Sequence, residues 1–331
     1  MASAVRDYMT QNPIVIDGET KVLESAKMML EQKLKRAVVR TEKGFGIVSA
    51  RLIVRSALMR PNWKEEKVSN FIRHGFSVGP NETIKTAARK MIEAFVGSLL
   101  VVEEGKLVGI ITERDIVRAS PDLSIPAEAI MTKHVESLGS DLTMREASIA
   151  MAHLGYSNIP VHDGIEVKRV FTIRDAFKAL VQDRMDERPL ECDDCGYEPY
   201  VVSPDATYAQ VKRVLLDKGV DAVLVSRDGK SKRLEDLVGI ITMWDMVRTF
   251  ANSISAHVML EVELPYLKEV LEEIRKIPRV TSADPVFGEC DVMVRIDAES
   301  LEALSELITE KIGKIKGVKK SITLIEALLK P

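Results

Sequence analysis

The chain has 331 residues, 46% of them hydrophobic and 29% charged, with 47 Lys+Arg against 50 Asp+Glu. That length calls for about two or three domains, and the composition excludes a wholly disordered chain. The formal charge of −3 argues against a globally basic nucleic-acid binder. No apolar run reaches the 18 or so residues of a membrane helix. The first residues, which include Arg6 and Asp7, show no apolar stretch of a secretory signal. Three cysteines are too few for a disulfide framework, so a reducing cytoplasm is expected.

One phrase recurs along the chain: an apolar strand, a hydroxyl residue, two spacers, an acid and an apolar helix. It stands as Val108-Gly-Ile-Ile-Thr-Glu-Arg-Asp-Ile-Val-Arg118, as Val170-Phe-Thr-Ile-Arg-Asp-Ala-Phe177 and as Val238-Gly-Ile-Ile-Thr-Met-Trp-Asp-Met-Val-Arg248. A degenerate copy is Gly46-Ile-Val-Ser-Ala-Arg-Leu-Ile53. The anchors Ser49, Thr112, Thr172 and Thr242 lie 63, 60 and 70 residues apart, the mark of an internal repeat. Taken in order, each copy predicts a short lead-in strand (12–16, 75–78, 134–137, 199–202). A helix follows (22–32, 84–94, 144–153, 208–218), then a buried strand (37–39, 98–102, 158–161, 222–225), and last the anchor strand with its closing helix. In the second helix Ile84, Ala87, Ala88, Met91, Ile92 and Phe95 fall at helical spacing, and Asn81-Glu-Thr83 supplies a start signal. The unit is β-α-β-β-α. A unit of this size has little core of its own, so the four are expected as two pairs, 1–120 (repeats 1–60 and 66–120) and 121–252 (repeats 126–182 and 187–252). Pro121 to Pro126 is read as the joint between them.

These residues resemble the CBS domain family. Met9-Thr-Gln-Asn-Pro13, Pro160-Val161 and the Gly-Ile-Ile-Thr-x-x-Asp phrase carry the resemblance. It implies tandem pairs, the Bateman modules, with clefts between repeats for adenosine-containing ligands: AMP, ADP, ATP, S-adenosylmethionine or NAD. A strand running into a helix aims backbone N–H groups at a phosphate, and an acid one turn later can accept from ribose hydroxyls. By this resemblance Thr112/Asp115, Thr172/Asp175 and Thr242/Asp245 are the ligand-binding pairs. Read without it, each pair is equally a helix cap. Arg73, His74, Arg114, Arg118, Arg174 and Arg248 are candidate phosphate partners or solvated charges. Ile14, Phe76, Val135 and Tyr200 are candidate adenine-packing or plain core residues. Two departures stand out: Leu52 occupies the acidic position of the first repeat, and Arg169 stands where the others have Gly46, Gly109 and Gly239.

Between repeats three and four, Cys192 and Cys195 have the spacing of one half of a zinc knuckle. No second pair exists in the chain, which leaves a metal shared across a dimer, a redox pair or a polar loop with two thiols.

From residue 256 the pattern changes to β-α-β-β-α-β: a strand to 264, a helix 266–277, a hairpin 280–296, a helix 300–315 bearing Leu301, Leu304, Ile308 and Ile312, and a strand 318–324. This order is a ferredoxin-like sandwich. The Phe287-Gly-Glu-Cys-Asp-Val-Met-Val294 hairpin and Lys314-Ile-Lys-Gly-Val-Lys-Lys-Ser-Ile-Thr323 resemble the effector (RAM) domain of Lrp/AsnC regulators. That resemblance implies sheet-mediated oligomers and puts Gly288 and Asp291 near an effector site, with turn chemistry as the alternative reading. The family's helix-turn-helix is missing, so direct nucleic-acid binding is not implied.

The fold class expected is therefore α+β, four β-α-β-β-α repeats in two pairs followed by a ferredoxin-like domain at 255–331. The function expected is a non-catalytic sensor of adenosine-containing ligands that acts on a regulated protein partner. It is expected to be homo-oligomeric, away from membranes and without a required cofactor. The alternative is a transcriptional co-regulator working through a helix-turn-helix partner. Asp228-Gly-Lys-Ser231 lacks the glycine spacing of a phosphate-binding P-loop, and no hydrolase or zinc-protease signature occurs.

Overall fold

The computed structural model describes residues 3–188 and 195–325. Repeat 1 contains β1 (Thr10–Gln11), β2 (Val15–Asp17), α1 (Val22–Glu31), β3 (Arg36–Thr41), β4 (Gly44–Ser49) and α2 (Ala50–Met59). Repeat 2 contains β5 (Ile72–His74), β6 (Ser77–Val78), α3 (Ile84–Ala94), β7 (Ser98–Glu103), β8 (Lys106–Thr112) and α4 (Glu113–Ala119). Repeat 3 contains α5 (Ala127–Ile130), β9 (Leu138–Gly139), α6 (Met144–Leu154), β10 (Asn158–His162), β11 (Val167–Thr172) and α7 (Ile173–Val181). Repeat 4 contains β12 (Val201–Val202), α8 (Tyr208–Asp217), β13 (Ala222–Ser226), β14 (Leu237–Thr242) and α9 (Met243–Asn252).

Threonine starts three of the first helices: Thr83, Thr143 and Thr207 accept through their hydroxyls from the amides of Thr86, Glu146 and Gln210, which satisfies an otherwise orphaned donor. The third lead-in strand begins four residues later than the sequence predicts, at Leu138. His134 sits in the left-handed region at φ 58°, a conformation that cannot continue a strand.

Each lead-in strand pairs within its own repeat, but within each half of the array the repeats exchange the entry segments just before those strands. β1 precedes repeat 1 yet pairs antiparallel with β8 of repeat 2, while β5 precedes repeat 2 and pairs with β4 of repeat 1. Thr132 bridges Ile240, and Tyr197 bridges Val170, so repeats 3 and 4 do the same. The crossing is close. A Cβ on Gly109 would stand 2.7 Å from the Met9 sulfur, and one on Gly239 2.4 Å from that of Met131. In repeat 3 the bulky Arg169 takes that strand position, and the glycine is on the crossing segment instead. Gly196, at φ +70°, passes so near that its Cβ would lie 2.7 Å from the Val170 carbonyl oxygen, and Arg169 donates to the Cys195 carbonyl at 3.2 Å.

Each repeat packs in two directions. Sheet faces meet within a half: Val38 against Leu100 and Ile110, and Val167 against Ala222, Leu224 and Ile240. Helices meet across the halves. One core joins Met91, Ile111 and Ile116 of repeat 2 to Tyr208, Leu215 and Met246 of repeat 4. The other joins Met29, Ile53 and Phe71 on the repeat 1 side to Met144, Met151 and Phe171 of repeat 3. Burying these aliphatic stripes, at roughly 25 cal/mol per Å² of apolar surface, gives small units the core each lacks alone.

The C-terminal domain comprises β15 (Ile254–Val262), α10 (Leu267–Ile274), β16 (Val280–Pro285), β17 (Val292–Ala298), α11 (Leu301–Glu306) and β18 (Val318–Ile325). Its sheet order β16-β17-β15-β18 is that of a ferredoxin-like sandwich, with its own core of Val258, Leu260, Val270, Val294 and Leu304. The last helix differs from expectation. A π-helical stretch Leu307–Lys311 follows α11, so the buried face runs Leu304, Leu307, Ile312, while Leu301 is 53% exposed. Leu304 and Leu307 keep ordinary helical spacing, the wider turn accounts for the five-residue step from Leu307 to Ile312, and Ile308 stays partly buried against the same core.

Candidate functional site: a cavity shared by the four repeats

The residue before each central strand accepts a hydrogen bond from the first amide of its own closing helix. The pairs are Ala50 N to Lys35 O at 2.9 Å, Glu113 N to Gly97 O at 3.1 Å, Ile173 N to Ser157 O at 2.9 Å and Met243 N to Asp221 O at 3.0 Å. Lys35, Gly97, Ser157 and Asp221 are thus equivalent positions. All four, with the first residue of each closing helix, line one cavity of about 580 Å³. Its wall carries six Lys/Arg and four Asp/Glu side chains.

The three Thr-x-x-Asp pairs share a geometry. Asp115 Oδ2 accepts from the Thr112 amide at 2.9 Å and its hydroxyl at 2.7 Å. Asp175 Oδ2 accepts from Thr172 at 2.8 and 2.5 Å, and Asp245 Oδ2 from Thr242 at 2.9 and 2.7 Å. Each pair therefore does cap its helix, and capping uses one oxygen only. The second oxygen of Asp245 faces Thr132 of the exchanged entry segment, whose hydroxyl donates at 3.2 Å, and Arg248, at 2.9 Å. Asp115 Oδ1 meets Arg118 at 3.4 Å. Of the three pairs, Thr242 and Asp245 line the cavity; His134, Pro160 and Ile240 complete that end.

The opposite end belongs to repeat 1. Ser49 caps α2 by accepting from the Leu52 amide at 3.2 Å, and Leu52, Arg73 and Phe76 line the wall there. Arg51 and Arg55, which sequence reasoning did not single out, line it as well. A signal for Arg55 was present in the repeat alignment: the sixth position after each anchor is Arg55, Arg118, Lys178 and Arg248, basic in every copy.

At the centre stands Asp221, 5% exposed. Its carboxylate receives a cation from every other repeat: Lys35 of repeat 1, Arg114 of repeat 2 at 3.0 Å and Arg174 of repeat 3 at 2.7 Å. Burial alone would raise its pKa; the Lys35 ammonium and the Arg174 guanidinium outweigh burial and hold the carboxyl well below the usual carboxylate range. Burial pushes Lys35 down to about 8, against the pull of Asp221. Asp221 is another residue the sequence did not mark, since a lone acid before a strand has no signature.

The remaining expected residues are dispersed. Arg114 also donates to the Val220 carbonyl at 3.0 Å, so it and Arg174 are tied to Asp221 outside the cavity wall. His74 is exposed on β5. Tyr200 packs against the repeat 2/repeat 4 core beneath the Lys218 ammonium, 5.7 Å from its ring centroid. Ile14 is 38% exposed, and Val135 packs in the sheet interface of repeats 3 and 4. Asp291 accepts from the Val262 amide at 2.7 Å and donates its own amide to the Leu260 carbonyl at 2.8 Å. That clasps the hairpin, while Gly288 takes φ +144° in open space. Cys192 lies outside the described residues. Cys195 is buried, and among the described residues no group of three His, Cys, Asp or Glu is placed to hold a metal.

Comparison with known proteins identifies the domains. The CBS domain profile matches residues 5–58, 68–122, 127–182 and 195–252, and that of the Lrp/AsnC ligand binding domain matches 255–326. The chain belongs to the CBS domain family. CBS domains are regulatory modules, and this CBS protein carries four of them ahead of its Lrp/AsnC-type domain. A curated relative, an uncharacterized 17.7 kDa protein of Acidianus ambivalens, is 37% identical over 110 residues, 32% of this chain and 67% of its own length. Inosine-5'-monophosphate dehydrogenase of Korarchaeum cryptofilum is 30% identical over 148 residues, 44% of this chain but 31% of that enzyme. Among solved structures, a Methanocaldococcus jannaschii protein described as a putative archaeal homolog of g-AMPK superposes over 75% of this chain and all of its own, with TM-score 0.64 at 18% identity; that likeness is one of fold.

Proposed function

We propose that this CBS protein is a non-catalytic regulator that senses an adenosine-containing ligand, AMP, ADP, ATP or S-adenosylmethionine, in the cavity its four repeats share. The observation that carries the reading is Asp245. It is a nearly buried carboxylate on the cavity wall, with one oxygen fixed by the helix cap and the other held by Thr132 and Arg248. Ribose hydroxyls can replace Thr132 and Arg248 on that second oxygen, and Pro160 and Ile240 give an adenine ring apolar surface. Thr112/Asp115 and Thr172/Asp175 repeat the capping geometry in repeats 2 and 3 and are proposed as further sites. Because the cavity is built by both halves of the array, a ligand that fits one arrangement of the halves better than another shifts their equilibrium. Calorimetric titration with the four ligands tests the reading; absence of binding by all of them at millimolar concentration overturns it.

The C-terminal domain is proposed as the element of self-association. On its uncovered sheet face Met259 neighbours Met293 and Ile322, and His257 neighbours Leu324. Ile322 is 45% and Leu324 51% exposed, and a second copy of the same sheet would bury this row. Control of transcription through a helix-turn-helix partner is the second reading, favoured by the match of residues 255–326 to the Lrp/AsnC ligand binding domain. No helix among the described residues is long and apolar enough to cross a membrane, and a cytoplasmic setting is proposed.

A further inference from the structure

The two ends of the cavity carry opposite chemistry at equivalent positions. Thr132 pairs with Ile240 in β14, and Arg73 pairs with Ile47 in β4. Ile240 and Ile47 stand two residues before their anchors Thr242 and Ser49, so Thr132 and Arg73 correspond. Three residues after those anchors stand Asp245 and Leu52. The repeat 4 end thus presents a hydroxyl and a carboxylate where the repeat 1 end presents a guanidinium and an aliphatic group. Arg51 and Arg55, one turn apart on α2, add two further guanidiniums to the repeat 1 end.

None of these three arginines has an ion-pair partner among the described residues: Arg51 donates to the Gly155 carbonyl and Arg73 to the Phe95 carbonyl at 3.2 Å. Burial lowers the Arg51 pKa, Glu113 opposes that, and the like charges of Arg55, Arg73 and Arg36 reinforce it. Three guanidiniums crowded in a concave site, with Glu113 near Arg51 but no carboxylate among the described residues paired to any of them, favour a polyanion, because each matches a phosphate through two parallel N–H donors. With no carboxylate at position 52, the same end has nothing to hold a ribose.

We propose that the repeat 1 end is a receptor for a polyphosphate chain, so that one nucleoside triphosphate, held by its sugar at Asp245, spans the cavity and joins the two halves of the array. This rests on the nucleotide-sensing reading above and selects within it a ligand with three phosphates over AMP and S-adenosylmethionine. Phe95, 78% exposed at the cavity wall in the left-handed conformation, marks the mouth on the repeat 1 side.

The test is titration of the full-length protein with ATP, AMP and inorganic tripolyphosphate, for the wild type, Arg55→Gln, Arg55→Gln/Arg73→Gln and Leu52→Asp. The expected result is that ATP binds more tightly than AMP and that tripolyphosphate binds alone. Each arginine removed should weaken ATP and tripolyphosphate about tenfold while AMP binding is unchanged. Leu52→Asp, which places a carboxylate among the arginines, should weaken tripolyphosphate with the arginines intact. Equal affinities for ATP and AMP, unaltered by these substitutions, would overturn the polyphosphate receptor and leave nucleotide sensing standing. If no nucleotide binds but tripolyphosphate does and is lost in the double variant, the nucleotide reading and the spanning ligand fall and only the anion end survives. Matching melting temperatures for the single variants and the wild type exclude misfolding as the cause.

Discussion

Lys35 and Asp221 occupy the same position in the first and fourth repeats, yet they carry opposite charges and form an ion pair with each other. Arg114 and Arg174 complete the arrangement from the second and third repeats. One buried carboxylate therefore ties together four copies of a single motif, at the point where a cavity built by both halves has its wall.

Removing that carboxylate leaves three cations facing one another. Asp221→Asn is expected to destabilise the protein toward the lower end of the roughly 3–5 kcal/mol seen when one partner of a buried ion pair is lost, because Lys35, Arg114 and Arg174 keep partial solvent access. Denaturant titration measures it. Lys35→Met in the Asp221→Asn background should recover part of the loss, and additivity of the two changes would argue against direct coupling.

The pair also sets a pH dependence. Lys35 is lowered from 10.5 to about 8 in the fold. Between those values the unfolded chain binds more protons than the folded one, so stability rises with pH there. The difference in unfolding free energy between wild type and Lys35→Met should thus shift in favour of wild type from pH 8 towards 10.5. Asp221, held below its ordinary value, contributes stability above the unfolded carboxyl pKa that is lost as pH falls through the folded one. An Asp221→Asn variant should therefore show the weaker acid dependence of the two.

Gly196 is expected to be the least tolerant of the strand-crossing glycines. Gly196→Ala places a Cβ against the Val170 backbone in a left-handed conformation, at a cost of about 1–3 kcal/mol. Gly239→Ala meets chiefly the flexible Met131 side chain and should cost less. Thermal melts of the two variants separate these outcomes.

Much of this architecture was legible in the sequence, and what was not has identifiable causes. The repeat is written in the anchors Ser49, Thr112, Thr172 and Thr242, and the helices follow from aliphatic spacing, while the caps Thr143 and Thr207 emerged only in the structure. Asp221 and Lys35 escaped because their significance lies in where four repeats converge, which no single repeat encodes. Arg51 escaped because an arginine on a first helical turn looks the same whether it faces solvent or a cavity, and Arg55 because its recurring basic position shows only when the four copies are aligned. The exchange of entry segments was hidden for a similar reason: β1 reads as part of repeat 1, and only its hydrogen bonds to β8 assign it elsewhere. Arg169 was visible as a departure, but its accommodation depends on Gly196, 27 residues later in the chain.

Self-association should depend on the open sheet face of the C-terminal domain. Met259→Lys with Ile322→Lys places two ammonium groups in the row a second copy would cover, and is expected to reduce the oligomer by light scattering while nucleotide binding in the CBS array persists. An unchanged mass would remove this face from the assembly.

The central claim is that the cavity holds an adenosine-containing ligand by Asp245, and calorimetry on the full-length protein and its Asp245→Asn variant tests it most directly. The amide keeps an oxygen for the Thr242 cap donors but loses the charge offered to ribose hydroxyls. The account predicts saturable binding of an adenine nucleotide by the wild type, weakened at least about tenfold in the variant with little change in melting temperature. Equal binding by both proteins, or by neither, would contradict it.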